Sequence, residues 1–144
     1  MKKIFLLAPF GNHINPDTGL MHDNNKEFIE KIISHLEKKG HIIENAHRRE
    51  RWGLEWMKPE VCTPLDYKLI QDSDLIIAIP GHPASGGVHV ELGWASSLKK
   101  KIMILLEDGK EYSNLVTGLN TITDVKFIKL KDNHEHLNDL DKLL

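Results

Sequence analysis

The sequence has few cysteines, no surplus of positive charge and no long apolar run, and each of these absences excludes a class of protein. It has one cysteine, Cys62, which excludes an internal disulfide and indicates a reducing compartment. Its net charge is −2, whereas proteins that bind the nucleic-acid backbone carry a surplus of Lys and Arg. No apolar run reaches the length of a membrane span, and Ile4 to Ala8 is too short for a secretory signal. These absences predict a cytoplasmic protein that binds neither a nucleic acid polymer nor a membrane.

The composition is that of an ordinary globular protein. Of the 144 residues, 40% are hydrophobic and 28% are charged, which predicts a single domain spanning residues 1–144. Short apolar runs alternate with helical patterns. Strands are predicted at 4–8, 41–45, 75–79, 102–106 and 125–130, and helices at 23–39, 59–71, 86–98 and 132–144.

This alternation predicts an α/β fold: a Rossmann-like, doubly wound parallel sheet of about five strands with helices on both faces. Asp23 or Asn24 is expected to cap the first helix. Pro64 leaves open a break in the second helix, with a restart capped by Thr63. Because ligands bind beyond the carboxyl ends of such strands, the loops after residues 8, 45 and 79 are expected to share one crevice.

The turn Ser85-Gly86-Gly87 lies between the central strand and the helix that follows it. A helix N-terminus presents free N–H groups to an anion, and glycines let a phosphate approach the backbone. The Ser85 hydroxyl can cap the helix and can also donate to a phosphate oxygen. A plain N-cap with glycines in a tight turn explains the same residues, so the spacing leaves both interpretations open.

Glu91 follows near the first turns of the same helix. The helix dipole is expected to keep its carboxylate ionised, which suits a nucleophile rather than a general acid. A charge that only favours the helix start is the simpler explanation. Position alone therefore does not make Glu91 catalytic.

Other polar residues near the expected crevice are ambiguous. Asp74 stands at the start of the central strand, as a turn residue would, and Asp66 can stabilise a first helical turn. His82 and His89 bracket the glycine turn and can contact a phosphate or a base. Neither histidine has a partner at metal-ligand spacing, so no metal site is predicted, and Cys62 is expected to be structural.

The stretch 45–53 places three arginines, a histidine and a tryptophan directly after a strand. Arginine can bind a phosphate through two parallel hydrogen bonds, and an indole can stack on a base. A solvated loop with local ion pairs is the competing interpretation.

Several blocks of sequence carry a resemblance. They are Ala8-Pro9-Phe10, Asp17-Thr18-Gly19, Asn45-Ala46-His47-Arg48-Arg49-Glu50, Leu65-Asp66, the stretch 80–96, and Leu115-Val116-Thr117-Gly118-Leu119. Through these blocks nearly the whole chain resembles the nucleoside 2-deoxyribosyltransferase superfamily, and within it the cytidine 5′-monophosphate N-ribosidases. The Glu-Leu-Gly segment at 91–93 marks the superfamily broadly. The block at 45–50 and the long turn are more specific to the monophosphate branch.

The resemblance implies hydrolysis of the N-glycosidic bond of a pyrimidine nucleoside 5′-monophosphate, without a cofactor. It implies that Glu91 is the nucleophile and that Asp74 corresponds to an acidic residue of the site, in conflict with its place at the strand start. It also implies a homodimer or larger assembly whose neighbouring subunit completes the site, with the segment from Tyr112 to Leu119 as the expected contribution. The residues expected to bind substrate are Phe10, Gly11, His47, Arg48, Arg49, Ser85, Gly86, Gly87 and His89.

Two positions depart from the resemblance. Gly11 leaves room beside the base but offers no side chain to a 5-substituent, which favours cytosine over a 5-hydroxymethyl base. Arg51 is an additional residue that shifts Trp52-Gly53 by one. Base exchange through the same intermediate and a non-catalytic nucleotide sensor remain alternative hypotheses.

Overall fold

Five parallel strands form the centre of the protein in the computed structural model, which describes residues 1–131 and 135–144. They are β1 (Lys3–Leu7), β2 (Ile42–Glu44), β3 (Leu75–Ala78), β4 (Lys101–Glu107) and β5 (Val125–Leu130). Every neighbouring pair is parallel, and the order across the sheet is β2-β1-β3-β4-β5. This confirms the predicted sheet, with the strand order reversing between β1 and β3.

Six α-helices connect or follow these strands within the described residues. They are α1 (Asp23–Lys38), α2 (Ala46–Arg49), α3 (Pro59–Asp72), α4 (Gly86–Ser97), α5 (Asn114–Thr117) and α6 (Glu135–Leu143). Single 3-10 turns occur at Gly11–His13, Arg51–Gly53 and Leu119–Thr121. None of the helices described has the length and apolar character that a membrane crossing requires.

Three helix boundaries differ from the sequence expectation. The residue that precedes α1 is His22, without a side-chain cap, so Asp23 lies inside the first turn and neither Asp23 nor Asn24 is the cap. Helix α3 runs unbroken through Pro64 instead of restarting there, and Pro59 occupies its first position. The closing helix begins at Glu135, and the part predicted at 132–134 lies outside the described residues.

The two faces of the sheet bury alternate side chains of each strand. On one face, Ile4, Leu6 and Ile77 pack against α1 and α6, while on the other Phe5 and Ile76 pack against α3 and α4. The prediction of helices on both faces is confirmed. The helix that carries Glu91 is therefore anchored on the α3 side, with Val88, Leu92 and Ala95 facing the sheet.

The loops after β1 and β3 meet where the strand order reverses. Gly81 has a φ of +83°, and a Cβ atom added there would lie 2.6 Å from Pro9 Cγ. Asn12 Nδ2 also donates to the Pro83 carbonyl at 3.1 Å. The loop after β2 joins them, because His47 Nε2 lies 3.1 Å from the Pro9 carbonyl. The three loops expected to share a crevice are thus in direct contact.

Candidate active site

Ser85 starts α4 as its N-cap. Its side-chain oxygen accepts a hydrogen bond from the Val88 N–H at 3.4 Å, and His89 Nδ1 lies 2.6 Å from the Ser85 carbonyl oxygen. A Cβ atom at Gly86 would meet nothing within 4 Å, and one at Gly87 would meet only Ser85 Oγ, at 4.0 Å. Packing therefore does not require glycine at either position, and the space above the helix N-terminus is open.

Glu91 lies on the second turn of α4 and is mostly buried. Burial, with a smaller contribution from Asp66, raises the pKa of the Glu91 carboxyl from 4.5 to about 8, and Arg49 opposes this rise. The expectation that the helix dipole keeps Glu91 ionised is therefore wrong for the free protein. The dipole acts mainly within the first helical turn, and lost hydration outweighs it here.

Arg49 and Asp66 complete a charged cluster with Glu91. Arg49 Nη1 lies 2.9 Å from Asp66 Oδ1, and Arg49 Nη2 lies 3.6 Å from Glu50 Oε1. The guanidinium is not aligned with these carboxylates, so Nη1, Nη2 and Asp66 Oδ1 are buried without a well-directed hydrogen bond. Burial raises the pKa of Asp66, while Arg49 acts to lower it. Several carboxyl groups thus surround one buried cation.

Asp66 was identified from the sequence only as a helix-start residue. The one sequence feature that could have pointed to Asp66 was its place in the Leu65-Asp66 block. Which residue of α3 lies near Glu91 depends on how α3 and α4 pack, and the sequence alone does not show this. The other two arginines of the stretch 45–53 point elsewhere. Arg48 binds Glu37 Oε1 at 2.6 Å and the Ile43 carbonyl, and Arg51 binds Glu55 at 2.6 Å.

Asp74 lies at the amino end of the strands, whereas Ser85 follows their carboxyl end. Its carboxylate accepts a hydrogen bond from the Lys3 N–H at 2.8 Å, and its own N–H donates to the Lys3 carbonyl at 2.8 Å. These bonds tie the amino ends of β1 and β3 together. The placement corrects the assignment of Asp74 to the site, because the α4 N-terminus follows the carboxyl end of β3.

His47 is a buried support rather than a surface ligand, since its side chain is only 1% exposed. Nδ1 accepts from Asn45 Nδ2 at 3.1 Å, and Nε2 donates to the Pro9 carbonyl at 3.1 Å. Burial lowers the pKa of His47 to about 4, so the ring is neutral. Phe10 stacks on it with ring centroids 4.3 Å apart. His47 therefore fixes the start of the loop that carries Phe10.

The loops at Gly11 and at Arg51 have distinct geometries. A Cβ atom at Gly11 would meet nothing within 4 Å, which agrees with the room expected there.

Arg51 and Trp52 have φ values of 49° and 58°, in the left-handed region. Gly53 follows with a φ of +103°, and a Cβ atom there would lie 2.5 Å from the Gly19 carbonyl. Arg51, Trp52 and Gly53 thus form a left-handed turn.

Trp56 is a residue that the sequence interpretation missed. Its ring centroid lies 4.4 Å from that of Phe10, and 53% of its surface is exposed. In the sequence Trp56 is an aromatic residue shortly after the arginine-rich stretch. Its contact with Phe10 depends on how the loop folds, which the sequence alone does not show.

A cavity of about 670 Å³ lies at the carboxyl end of the strands, on the side of the sheet that α1 and α6 cover. It is lined in part by His13, His82, Glu107 and Lys131. Glu91 does not line this cavity. Within residues 1–131 and 135–144, no group of three or more His, Cys, Asp or Glu side chains is placed to hold a metal ion. The candidate active site is assigned to Glu91, which Asp66 and Arg49 influence electrostatically, on the helix that begins at the Ser85 cap, and not to this cavity.

A family model and several solved structures are similar to this chain. A family described as a domain of unknown function, DUF4406, matches residues 15–104. The chain is 37% identical to Clostridium botulinum CMP N-glycosidase, BcmB, over 99% of this chain and 100% of that one, with a TM-score of 0.78. It is 44% identical to BlsM, over 96% of this chain and 86% of that one, with a TM-score of 0.83.

A more distant structure shares the fold. The 2-deoxyribosyltransferase from Bacillus psychrosaccharolyticus is 20% identical over 96% of this chain and 90% of that one, with a TM-score of 0.63. No curated protein sequence matches the chain. The chain belongs to the DUF4406 family and to the same family as the CMP N-glycosidase BcmB and BlsM.

Proposed function

We propose that the protein hydrolyses the N-glycosidic bond of a pyrimidine nucleoside 5′-monophosphate, CMP above all, to the free base and ribose 5-phosphate. The observation that carries this proposal is the Glu91–Asp66 carboxyl pair on the same side of the sheet as the open α4 N-terminus. The similarity to a CMP N-glycosidase over the full chain supports the substrate class.

The spacing on α4 suits a substrate with a phosphate and a reactive sugar carbon. Glu91 follows Ser85 by about 9 Å along the helix axis, at 1.5 Å per residue. The N–H groups of Gly86 and Gly87 and the Ser85 hydroxyl are the proposed phosphate ligands. A phosphate held there brings the anomeric carbon, C1′, toward Glu91, and its binding energy positions the reacting atoms.

In the proposed reaction, the Glu91 carboxylate attacks C1′. The bond from C1′ to the base nitrogen breaks, its electron pair leaves with the base, and a ribosyl ester forms on Glu91. Water then attacks C1′, and the ester bond breaks to regenerate the carboxylate. The negative charge of Glu91 also stabilises the positive charge that develops on the sugar.

The Asp66–Glu91 pair supplies the proton that the leaving base needs. Two carboxyl groups that repel each other retain one proton between them over a wide pH range. When Glu91 attacks as a carboxylate, that proton resides on Asp66, which donates it to the departing base. Asp66 then accepts a proton from the attacking water, as the acid of a retaining glycosidase does.

We also propose that a neighbouring subunit completes the site through the segment 112–119. The support is the exposure of Leu115 on α5, which is 84% exposed. In a homodimer this side chain would be covered. The variant Leu115→Asp is then expected to lower both the sedimentation coefficient and the rate of base release. A monomeric wild-type protein with full activity would contradict this part of the proposal.

The test of the proposed function is a substrate panel. The purified protein is incubated separately with CMP, dCMP, UMP, AMP and cytidine, and the free base is quantified by chromatography. Release of cytosine from CMP but not from cytidine supports a nucleoside 5′-monophosphate N-glycosidase. Added adenine that becomes joined to the sugar would favour base exchange instead. Tight binding of CMP without base release would favour the non-catalytic sensor.

A further inference from the structure

Trp56 presents an open aromatic surface beside the candidate active site. It lies between the 3-10 turn at Arg51–Gly53 and the start of α3. It completes a row of three rings: His47 stacks on Phe10, and Phe10 contacts Trp56 at a centroid distance of 4.4 Å with a 43° angle between the planes. His47 is 1% exposed and Trp56 is 53% exposed. The ring surface that faces solvent most fully in this row therefore belongs to Trp56.

The backbone at Trp56 is tied to the charged cluster. The next residue, Met57, donates its N–H to Glu50 Oε2 at 3.3 Å and accepts a hydrogen bond from Arg49 Nε at its sulfur, at 3.2 Å. Arg49 in turn contacts Asp66. Trp56 is thus held between the Phe10 loop and the charged cluster that contains Arg49 and Asp66.

We infer that Trp56 binds the substrate by stacking on its pyrimidine ring, and that Phe10 supports the indole from beneath. This inference rests on the proposed function and adds a binding residue to it. An indole has a large, rigid apolar face, and a solvent-exposed one is open to a planar heterocycle. Because Phe10 already contacts His47 and Trp56, the base gains most of its aromatic contact from Trp56.

The competing explanation is that Trp56 only packs the loop onto Phe10. The two are separated by comparing a ligand that has a base with one that lacks it. We would measure binding of CMP and of ribose 5-phosphate by calorimetry in a Glu91→Gln background, which prevents turnover. Trp56→Ala is expected to weaken CMP binding by about tenfold or more, the usual range for loss of a base–aromatic stack, and to leave ribose 5-phosphate binding unchanged.

Two further variants sharpen the result. Trp56→Phe keeps an aromatic face and is expected to retain most of the CMP affinity. Leu54→Ala is the matched control, because Leu54 is 61% exposed in the same loop, and it is expected to bind CMP as the background protein does. Equal weakening of both ligands by Trp56→Ala, or no weakening of either, would overturn the inference.

Failure of the proposed function gives a different pattern. A wild-type protein that releases no base, together with Trp56-dependent CMP binding, refutes the hydrolase and leaves the binding residue in place. A protein that releases cytosine, with CMP affinity independent of Trp56, refutes only the inference. Absence of CMP binding in the background protein would overturn both.

Discussion

Replacing Glu91 with Gln is expected to stabilise the fold at high pH while it abolishes the reaction. An unfolded chain ionises Glu91 near 4.5, whereas in the folded protein its pKa is about 8. Between these values the unfolded state binds fewer protons, so folding stability falls as the pH rises. The contribution is complete below about pH 4.5 and is lost progressively up to about pH 8.

The size of this effect follows from the shift. One pKa unit corresponds to about 1.4 kcal/mol, so the shift sets an upper limit of about 5 kcal/mol. Relaxation and water near a partly exposed carboxylate lower this to about 2–3 kcal/mol. For a chain of this size, that corresponds to a melting-temperature gain of about 5–10 °C at pH 8.5. The glutamine side chain of the variant does not titrate, so the gain is expected to be small near pH 5.

The assay is thermal unfolding of both proteins at pH 5 and pH 8.5. Taking the difference between the two proteins at each pH cancels the titration of groups common to both. Glu111→Gln, at an exposed residue, is the control and is expected to leave the melting temperature unchanged at both values. A Glu91→Gln gain that is equal at pH 5 and pH 8.5, or a loss at pH 8.5, would refute the reasoning.

Four further predictions concern the reaction and the groups that support it. The kcat/KM for CMP is expected to fall as the pH rises through about 8, where the Asp66–Glu91 pair loses its last proton; a rate that keeps rising above this pH would exclude Asp66 as the acid. Asp66→Asn should lower kcat by about 10²–10⁴-fold, the usual range for a general acid. Asp74→Asn keeps an oxygen that can accept the Lys3 N–H, so it should leave kcat unchanged and cost about 1 kcal/mol of stability or less; kinetic losses equal to those of Asp66→Asn would contradict the assignment of Asp66 as the acid. Ser85→Ala should cost about 1 kcal/mol of stability as a lost N-cap and should lower kcat for CMP. Cytidine has no phosphate, so its binding should be unchanged, and a loss of cytidine binding would contradict a phosphate contact at Ser85.

The sheet could be predicted from the sequence because its strands carry their own signal. Runs such as Leu75-Ile76-Ile77-Ala78 are short, apolar and followed by Pro80-Gly81, and burial on both faces requires such runs. Ser85 as an N-cap is likewise a local property of the sequence. These features depend on neighbours along the chain, which are visible without the fold.

The site was harder to predict because its chemistry depends on contacts between elements. Arg48 and Arg49 are adjacent on α2, yet successive helical residues point about 100° apart, so one reaches Glu37 and the other Asp66. No local rule distinguishes them. The ionisation of Glu91 similarly depends on burial against α3, which the helix dipole alone does not indicate.

The choice between Asp66 and Asp74 has the same origin. The strand boundaries place Asp74 at the amino end of β3, and the hydrogen bonds with Lys3 agree. The resemblance alone implied a site role for Asp74, as the second aspartate of Asp72-Ser73-Asp74, in conflict with its position at the strand start. Only the packing of α3 against α4 brings Asp66 within electrostatic reach of Glu91.

The most direct test of the central claim is cytosine release from CMP by the wild-type protein and by Glu91→Gln at pH 7. Equal amounts of cytosine and ribose 5-phosphate are expected from the wild type. The folded variant is expected to bind CMP but to release no detectable base above the uncatalysed rate. Near-normal cytosine release by Glu91→Gln, or none from the wild type, would contradict the account.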